Sequence, residues 1–424
     1  MSDQRSQTIT DKTIFDMARS DFNITKKKIY LNNGSISPLP VSTIKSMTDF
    51  CLRYSETGPD SPDFNTYLDE LKNEVRQRLA DLIKSQKDEI IFTQSTTEGI
   101  NLVANGIRWK SADRILIRNQ INEHHSNYLP WLKAAGDFKL KLEVFPLHNI
   151  ESTGSMLIKE FEDIYLRQNH KLISTSHVMY NNGSITPVEY FGRVIKESNN
   201  DTLFSVDGAQ SVGAIDVNVK SINCEFMTFP SFKWICGPLG IGVLFVKKKA
   251  MNELNPIFVG SGSAEVLPST GTQSGKRSQP AGHGSIKYNK YPEKYHASFR
   301  NFPGLAGLEA SLRYLLRIGI NNIQARNKAL SSILRDELSK IKELVIHEAE
   351  EENYRSTLVS FSFKKKSNEK VIKLNSRLRK QGIILAEREI GTRKILRASP
   401  HFYNSEDELQ KTSEVIRSEL ASIL

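Results

Sequence analysis

Short β-prone runs alternate with amphipathic helical stretches through the first 250 residues, and this rhythm constrains the fold more than any other feature. Residues 66–85 place Leu68, Leu71, Val75, Leu79 and Leu82 three and four positions apart, the spacing of one helix face. Glu89–Thr93 then reads as a strand and Thr97–Ile107 as a helix. Arg114–Arg118 reads as a strand and Ser126–Ala135 as a helix. Further strands are expected at 142–146, 172–178, 203–206, 225–229 and 241–246, with a helix over 188–198. Such alternation builds βαβ units and a mostly parallel sheet, so the expected class is α/β.

The rhythm breaks at residues 260–300, a Gly- and Ser-rich stretch too long for an ordinary connection and therefore read as a functional loop. Beyond it longer helices appear (304–318, 321–341), then a strand at 357–363, a helix at 369–381, a strand at 394–398 and a last helix at 405–422. The expectation is a large domain over 26–302 and a smaller α/β domain over 303–424, with residues 1–25 packing on the smaller one. A chain of 424 residues can bury such cores without disulfides or a structural metal.

Its three cysteines, Cys51, Cys224 and Cys236, are odd in number and lack C-x-x-C spacing, which argues against a disulfide framework and a zinc site. No apolar run reaches the roughly 18 residues of a membrane span, and the polar start of the chain does not read as a signal peptide. A cytoplasmic protein with no membrane partner is expected. The net charge of +10 sits partly in short runs at Lys26–Lys28, Lys247–Lys249 and Lys364–Lys366. They lack the interleaved aromatics of a nucleic-acid surface and read as solvated loop ends.

Four segments that follow strands carry the chemistry. In Thr93-Gln-Ser-Thr-Thr-Glu-Gly-Ile-Asn101, Ser95 and Glu98 form a capping box, which leaves the amides and hydroxyls of Thr96 and Thr97 at a helix N-terminus. That is a place for a phosphate, although every helix needs a cap. Asp207 ends the run Leu203-Phe-Ser-Val-Asp207, where open α/β sheets bind ligands, or else caps the next helix. Lys233 lies between a strand and a glycine-rich turn, flanked by Phe232 and Trp234. Apolar neighbours lower a lysine pKa, as a Schiff-base amine requires. His124, in Asn122-Glu-His-His-Ser-Asn127, suits stacking on a flat ligand better than metal ligation. A phosphate cradle, an aromatic cover, an acid and an activated amine are together the kit for pyridoxal phosphate (PLP).

These residues, in this order and with Lys233 26 positions after Asp207, resemble the class V aminotransferase-fold enzymes: cysteine desulfurases, selenocysteine lyases and isopenicillin N epimerase-like proteins. The resemblance runs from Tyr30-Leu-Asn-Asn-Gly-Ser35 to Arg397-Ala-Ser-Pro-His-Phe-Tyr-Asn404. It implies a PLP-dependent transferase fold and a homodimer with its active site near the subunit interface. It further implies that Lys233 bonds the cofactor and moves the substrate's α-proton. Asp207 would hold the pyridine nitrogen protonated, Gln210 would reach the ring hydroxyl, His124 would stack on the ring, and Thr96 and Thr97 would hold the phosphate. Arg397 would grip the substrate carboxylate, with Asn33 also in the substrate site.

Departures narrow the activity. The family's histidine before the lysine is Phe232 here, which moves the expected phosphate contact to Ser231. Tyr180 stands where desulfurases commonly have asparagine, and Phe299 replaces a threonine that reaches across the dimer. Desulfurases carry their persulfide-forming cysteine shortly before the carboxylate-binding arginine, and Ile383–Arg397 contains none. The expected activity is therefore aminotransferase or C–S (or C–Se) lyase chemistry on a small amino acid. An epimerase and a non-catalytic binding protein on the same fold are the alternatives. Lys276, Arg277 and His283 in the long loop suit an anionic substrate tail, but a solvated loop is the simpler reading.

Overall fold

The computed structural model describes residues 14–146, 153–198, 201–267, 285–298 and 301–423. Its centre is a seven-stranded sheet of β1 (Ile90–Thr93), β2 (Arg114–Arg118), β3 (Lys141–Phe145), β4 (Leu172–Ser176), β5 (Leu203–Asp207), β6 (Phe226–Pro230) and β7 (Gly242–Val246). The spatial order is β1-β7-β6-β5-β4-β2-β3. All neighbours are parallel except β7, which runs antiparallel to both β1 and β6. The expected mostly parallel α/β sheet is the one observed.

The strands are apolar on both faces because helices cover both. Phe92, Leu116, Ile173, Phe204, Met227 and Phe245 point into one core, shared with helices α2 (Pro62–Ile83) and α7 (Phe302–Ile318). Ile91, Ile117, Leu172, Phe226 and Leu244 point into the other, against α3 (Thr96–Gly106) and α4 (His125–Asp137). Residues one apart in a strand face opposite ways, so alternate positions divide between the two cores.

A second sheet of four antiparallel strands has the order β8-β9-β11-β10, formed by β8 (Leu344–His347), β9 (Val359–Phe363), β10 (Ala386–Ile390) and β11 (Arg393–Ala398). Its own core holds Leu330, Leu334, Phe361, Leu374, Leu396 and Leu409. Strands β8 and β10 were not read from the sequence. β10 is polar at Glu387, Arg388 and Glu389, so no apolar alternation marks it.

Helix α7 lies beyond the expected boundary at residue 302 but packs on the core of the large sheet through Leu305, Leu308 and Leu312. The described part of the N-terminus spans both units. Phe22 stacks on Tyr403 at 4.1 Å and meets Tyr314 of α7 edge-on, while Arg19 pairs with Glu408 at 2.8 Å. Phe299, Lys276, Arg277 and His283 lie outside the described residues.

Candidate active site

The carboxyl ends of β4, β5 and β6 open onto a cavity of about 300 Å³ between the two sheets. Thr96, Thr97, His124, Asp207, Gln210, Lys233 and Arg397 all line it. Six of these residues, scattered from Thr96 to Lys233, converge because strands running the same way deliver their following loops to one edge, while Arg397 is brought in on β11 of the second sheet.

Asp207 is the last residue of β5 and is 5% exposed. Its Oδ1 accepts the Ala209 amide at 2.8 Å, and burial holds its carboxyl above the usual range against the attraction of Lys233. Lys233 sits in the turn after β6. That turn is braced on every side: the Trp234 indole donates to Gln210 at 3.0 Å, His401 approaches the Trp234 carbonyl at 2.9 Å, and the Ser37 amide donates to the Phe232 carbonyl at 2.8 Å. Burial, with Arg397 and Arg388 adding to it against Asp207, lowers the Lys233 ammonium to about 8. At pH 7 roughly a tenth of such an amine is neutral, against well under a thousandth for an ordinary lysine.

His124 caps α4. Its Nδ1 accepts the Ser126 amide at 3.1 Å, which requires an unprotonated Nδ1, and its ring meets Tyr180 edge-on at 4.9 Å. Burial and then the nearby cations lower it to about 4, so it is neutral at pH 7. The first turn of α3 is capped as the sequence indicated, with the Glu98 amide donating to Ser95 Oγ at 3.2 Å. The Thr97 hydroxyl donates to Ser126 Oγ at 2.9 Å, while Thr96 Oγ1 is buried without a partner. Arg397 is fully buried on β11. Its guanidinium donates to the Tyr180 carbonyl and, at 3.0 Å, to Ser35 Oγ, and Nε has no partner.

Two expected contacts are corrected. The Ser231 hydroxyl turns away from the cavity to the Pro238 and Ile241 carbonyls, bracing the lysine turn from behind, so it is not free for a phosphate. Asn33 is fully buried, and its amide is consumed by Ser399, Ser37 and Tyr403. It ties the N-terminal segment to the second sheet and does not line the cavity. Residues missed from the sequence are Ser35, Ser126, Tyr180's backbone carbonyl, Arg388 and, behind the wall, Glu123. Glu123, Ser126, Ser35 and Tyr180 lay inside or beside segments already singled out, whereas Arg388 left no signal.

A buried unpaired hydroxyl at the positive end of a helix, a buried carboxyl at a strand end and a lowered lysine amine fit PLP. They match its phosphate, its protonated pyridine nitrogen and its aldehyde. The fold and site thus define a PLP-dependent enzyme. The chain belongs to the aminotransferase class-V family, whose model matches residues 29–412, and PLP is its cofactor.

A protein of Pyrococcus abyssi named "Probable cysteine desulfurase" is 32% identical over 315 residues, 74% of this chain and 73% of its own length. One of the same name from Methanothermobacter thermautotrophicus is 27% identical over 94% of this chain and 96% of its own. Among solved structures, the apo cysteine desulfurase of Thermococcus onnurineus NA1 superposes with a TM-score of 0.83 at 27% identity, covering 95% of this chain and 97% of that one. The cystine C–S lyase C-DES shares the fold, with a TM-score of 0.80 at 23% identity over 92% of this chain and 97% of that one.

In the segment before Arg397, where the resemblance implied a desulfurase cysteine, this chain has none. β10 and β11 are joined directly through Gly391 and Thr392, with Ile390 opposite Arg393, so there is no loop to carry a thiol. Cys224 and Cys236 are fully buried and their thiols are pushed up, Cys236 to about 12, so neither ionises near neutrality. Cys51 is exposed on helix α1 (Val41–Thr57) and does not line the cavity.

Proposed function

We propose that this chain is a PLP-dependent C–S lyase (or its C–Se counterpart) that acts on a small cysteine-like amino acid and releases sulfur directly, without a protein persulfide. The observation that carries it is the convergence of Lys233, Asp207 and Arg397 on one cavity that contains no reactive thiol. The names of its relatives support the sulfur chemistry.

Bound PLP supplies an electron sink that stabilises negative charge at the substrate's α-carbon. Thr96, Thr97 and the amides of the first α3 turn hold the phosphate, helped by Ser126. Asp207 would hold the pyridine nitrogen and keep a proton there. His124, being neutral, would cover the ring without setting a second cation against that nitrogen. Gln210, its amide anchored to the Gly34 carbonyl at 2.7 Å, would hold the ring hydroxyl. Arg397 binds the substrate carboxylate through its planar fork. Lys233 carries the cofactor at rest and, as a neutral amine, takes the α-proton when substrate is bound. For a thioether substrate the balance is RSCH2CH(NH3+)COO− plus water giving RSH, pyruvate and ammonium, with no net oxidation.

The same reading carries a homodimer and a cytoplasmic setting. Leu239, just past the lysine turn, and Ile36, on the cavity rim, are 63% and 46% exposed, an apolar cost that a second subunit would remove. No helix among the described residues is long and apolar enough to cross a membrane. Visible absorption of the purified protein with L-cysteine, L-alanine and keto acids tests the function. Pyruvate release with retention of the cofactor's carbonyl form is expected. Lasting conversion to pyridoxamine phosphate would make it a transaminase, and absence of any cofactor band would leave a binding protein.

A further inference from the structure

Arg388 was not among the expected site residues, yet it lines the same cavity as Lys233 and Arg397. In the β10–β11 ladder, Ala386 lies opposite Arg397 and Arg388 opposite Ile395. The two arginines are therefore diagonal neighbours on one face, within reach for long side chains. Both guanidiniums donate to the same acceptor, Ser35 Oγ, which brings two cations to one oxygen. Arg388 also donates to the Glu387 carbonyl at 2.7 Å.

Carboxylates are close at hand but face the other way. Glu387 and Glu389 flank Arg388, alternate to the opposite side of the strand, and both pair with Lys394, at 3.4 Å for Glu389. No salt bridge among the described residues involves Arg388 or Arg397, and against their repulsion the only opposing group is the Tyr180 phenol, with no carboxylate set beside them. Among the described residues Asp207 is the one acid lining the cavity, and the reading above commits it to the cofactor. One α-carboxylate neutralises one of the two guanidiniums and leaves the other. Two like charges, one fully buried and one half-buried, held together without an acid are costly unless a ligand brings the second negative charge.

We infer that Arg388 is a specificity-determining residue for a second anionic group, so that the preferred substrate is an amino acid whose side chain ends in a carboxylate or an oxidised-sulfur anion. This rests on the proposed function. Arg397 takes the α-carboxylate and Arg388 the distal anion, with Ser35 fixing the angle between them.

The test uses the full chain loaded with PLP and follows amino-acid binding through the change in the cofactor's visible absorption. Two isosteric pairs separate charge from shape: S-carboxymethyl-L-cysteine against S-carbamoylmethyl-L-cysteine, and L-aspartate against L-asparagine. In the natural protein at least one anionic member should bind about 10–100-fold more tightly than its amide, the range of a charge-assisted pair. In Arg388→Gln that ratio should collapse towards one, and Arg388→Lys should restore part of it. The neutral ligand and the cofactor band report in each variant whether the site is still formed. Equal affinity for acid and amide in the natural protein overturns the inference. So does an equal loss for both in Arg388→Gln, which would assign Arg388 to the α-carboxylate. In both cases the proposed function stands. If no cofactor band forms, or no amino acid perturbs it, the proposed function fails and this inference with it.

Discussion

Glu123 and Asp207 are two buried carboxyl groups set on either side of Ser176 at the carboxyl end of the central sheet. Ser176 lies opposite Asp207 in the β4–β5 ladder, and its amide donates to Glu123 at 2.9 Å, with its hydroxyl bonded to the same carboxyl group. Glu123 also accepts the His124 amide at 3.0 Å. It thereby links His124 to the strand beside Asp207.

Burial, and then repulsion from Asp207, pushes the Glu123 carboxyl up from 4.5 to about 7, against the hydrogen bonds from Ser176 and His124. The buried Arg118 guanidinium is in turn favoured by the Glu123 charge. A raised acid favours its protonated form in the fold, so its contribution is fully present below pH 4.5 and is lost as pH rises through about 7. Glu123→Gln should remove that loss. Relative to the natural protein, the variant should gain up to about 3 kcal/mol between pH 4.5 and 8, measured by denaturant unfolding at a series of pH values. A pH-independent difference would show that the carboxyl does not titrate in this window.

Lys233→Ala should lower turnover by at least about 1,000-fold, since it removes both the covalent anchor and the base. Thr96→Ala should instead weaken cofactor retention by about 10-fold while leaving the anchor in place, the size of one lost hydrogen bond to a charged group. Equilibrium dialysis against PLP separates the two effects. Full turnover in Lys233→Ala would end the assignment.

Ser35 holds both cavity arginines at one oxygen and itself donates to Asn32 Oδ1 at 2.7 Å. Ser35→Ala should raise KM for the amino acid by roughly 5–10-fold, with a smaller effect on PLP retention. Steady-state kinetics together with dialysis would distinguish this from a general loss of structure, which would move both.

Cys51→Ser should keep turnover within about twofold, because an exposed substitution away from the cavity changes little. After incubation with L-cysteine, mass spectrometry should find no added sulfur on any of the three cysteines. A persulfide on Cys51 would contradict direct release.

Much of the central sheet was legible in the chain. Its strands are short apolar runs, and each helix that follows carries a face at three- and four-residue spacing. Thr96, Asp207 and Lys233 could be named because each directly follows such a strand, and an open α/β sheet places those positions together. Ser231 and Asn33 were misassigned for one physical reason. Adjacency in sequence does not say which way a small polar side chain turns, and both hydrogen-bond inward to backbone or to Tyr403. Arg388 was invisible for a related reason. β10 has no apolar alternation, so neither the strand nor its partner across the hairpin could be read.

The sequence by itself determined the α/β class, the cofactor kit and the lack of a thiol before Arg397, because strand ends and residue identities are local properties. Only the tertiary structure decided which polar groups face the cavity and which brace its walls. It alone set Arg388 beside Arg397 over one hydroxyl and Glu123 beside Asp207. Burial and the pairing of charges depend on what the rest of the chain brings against each residue, and no local pattern encodes that.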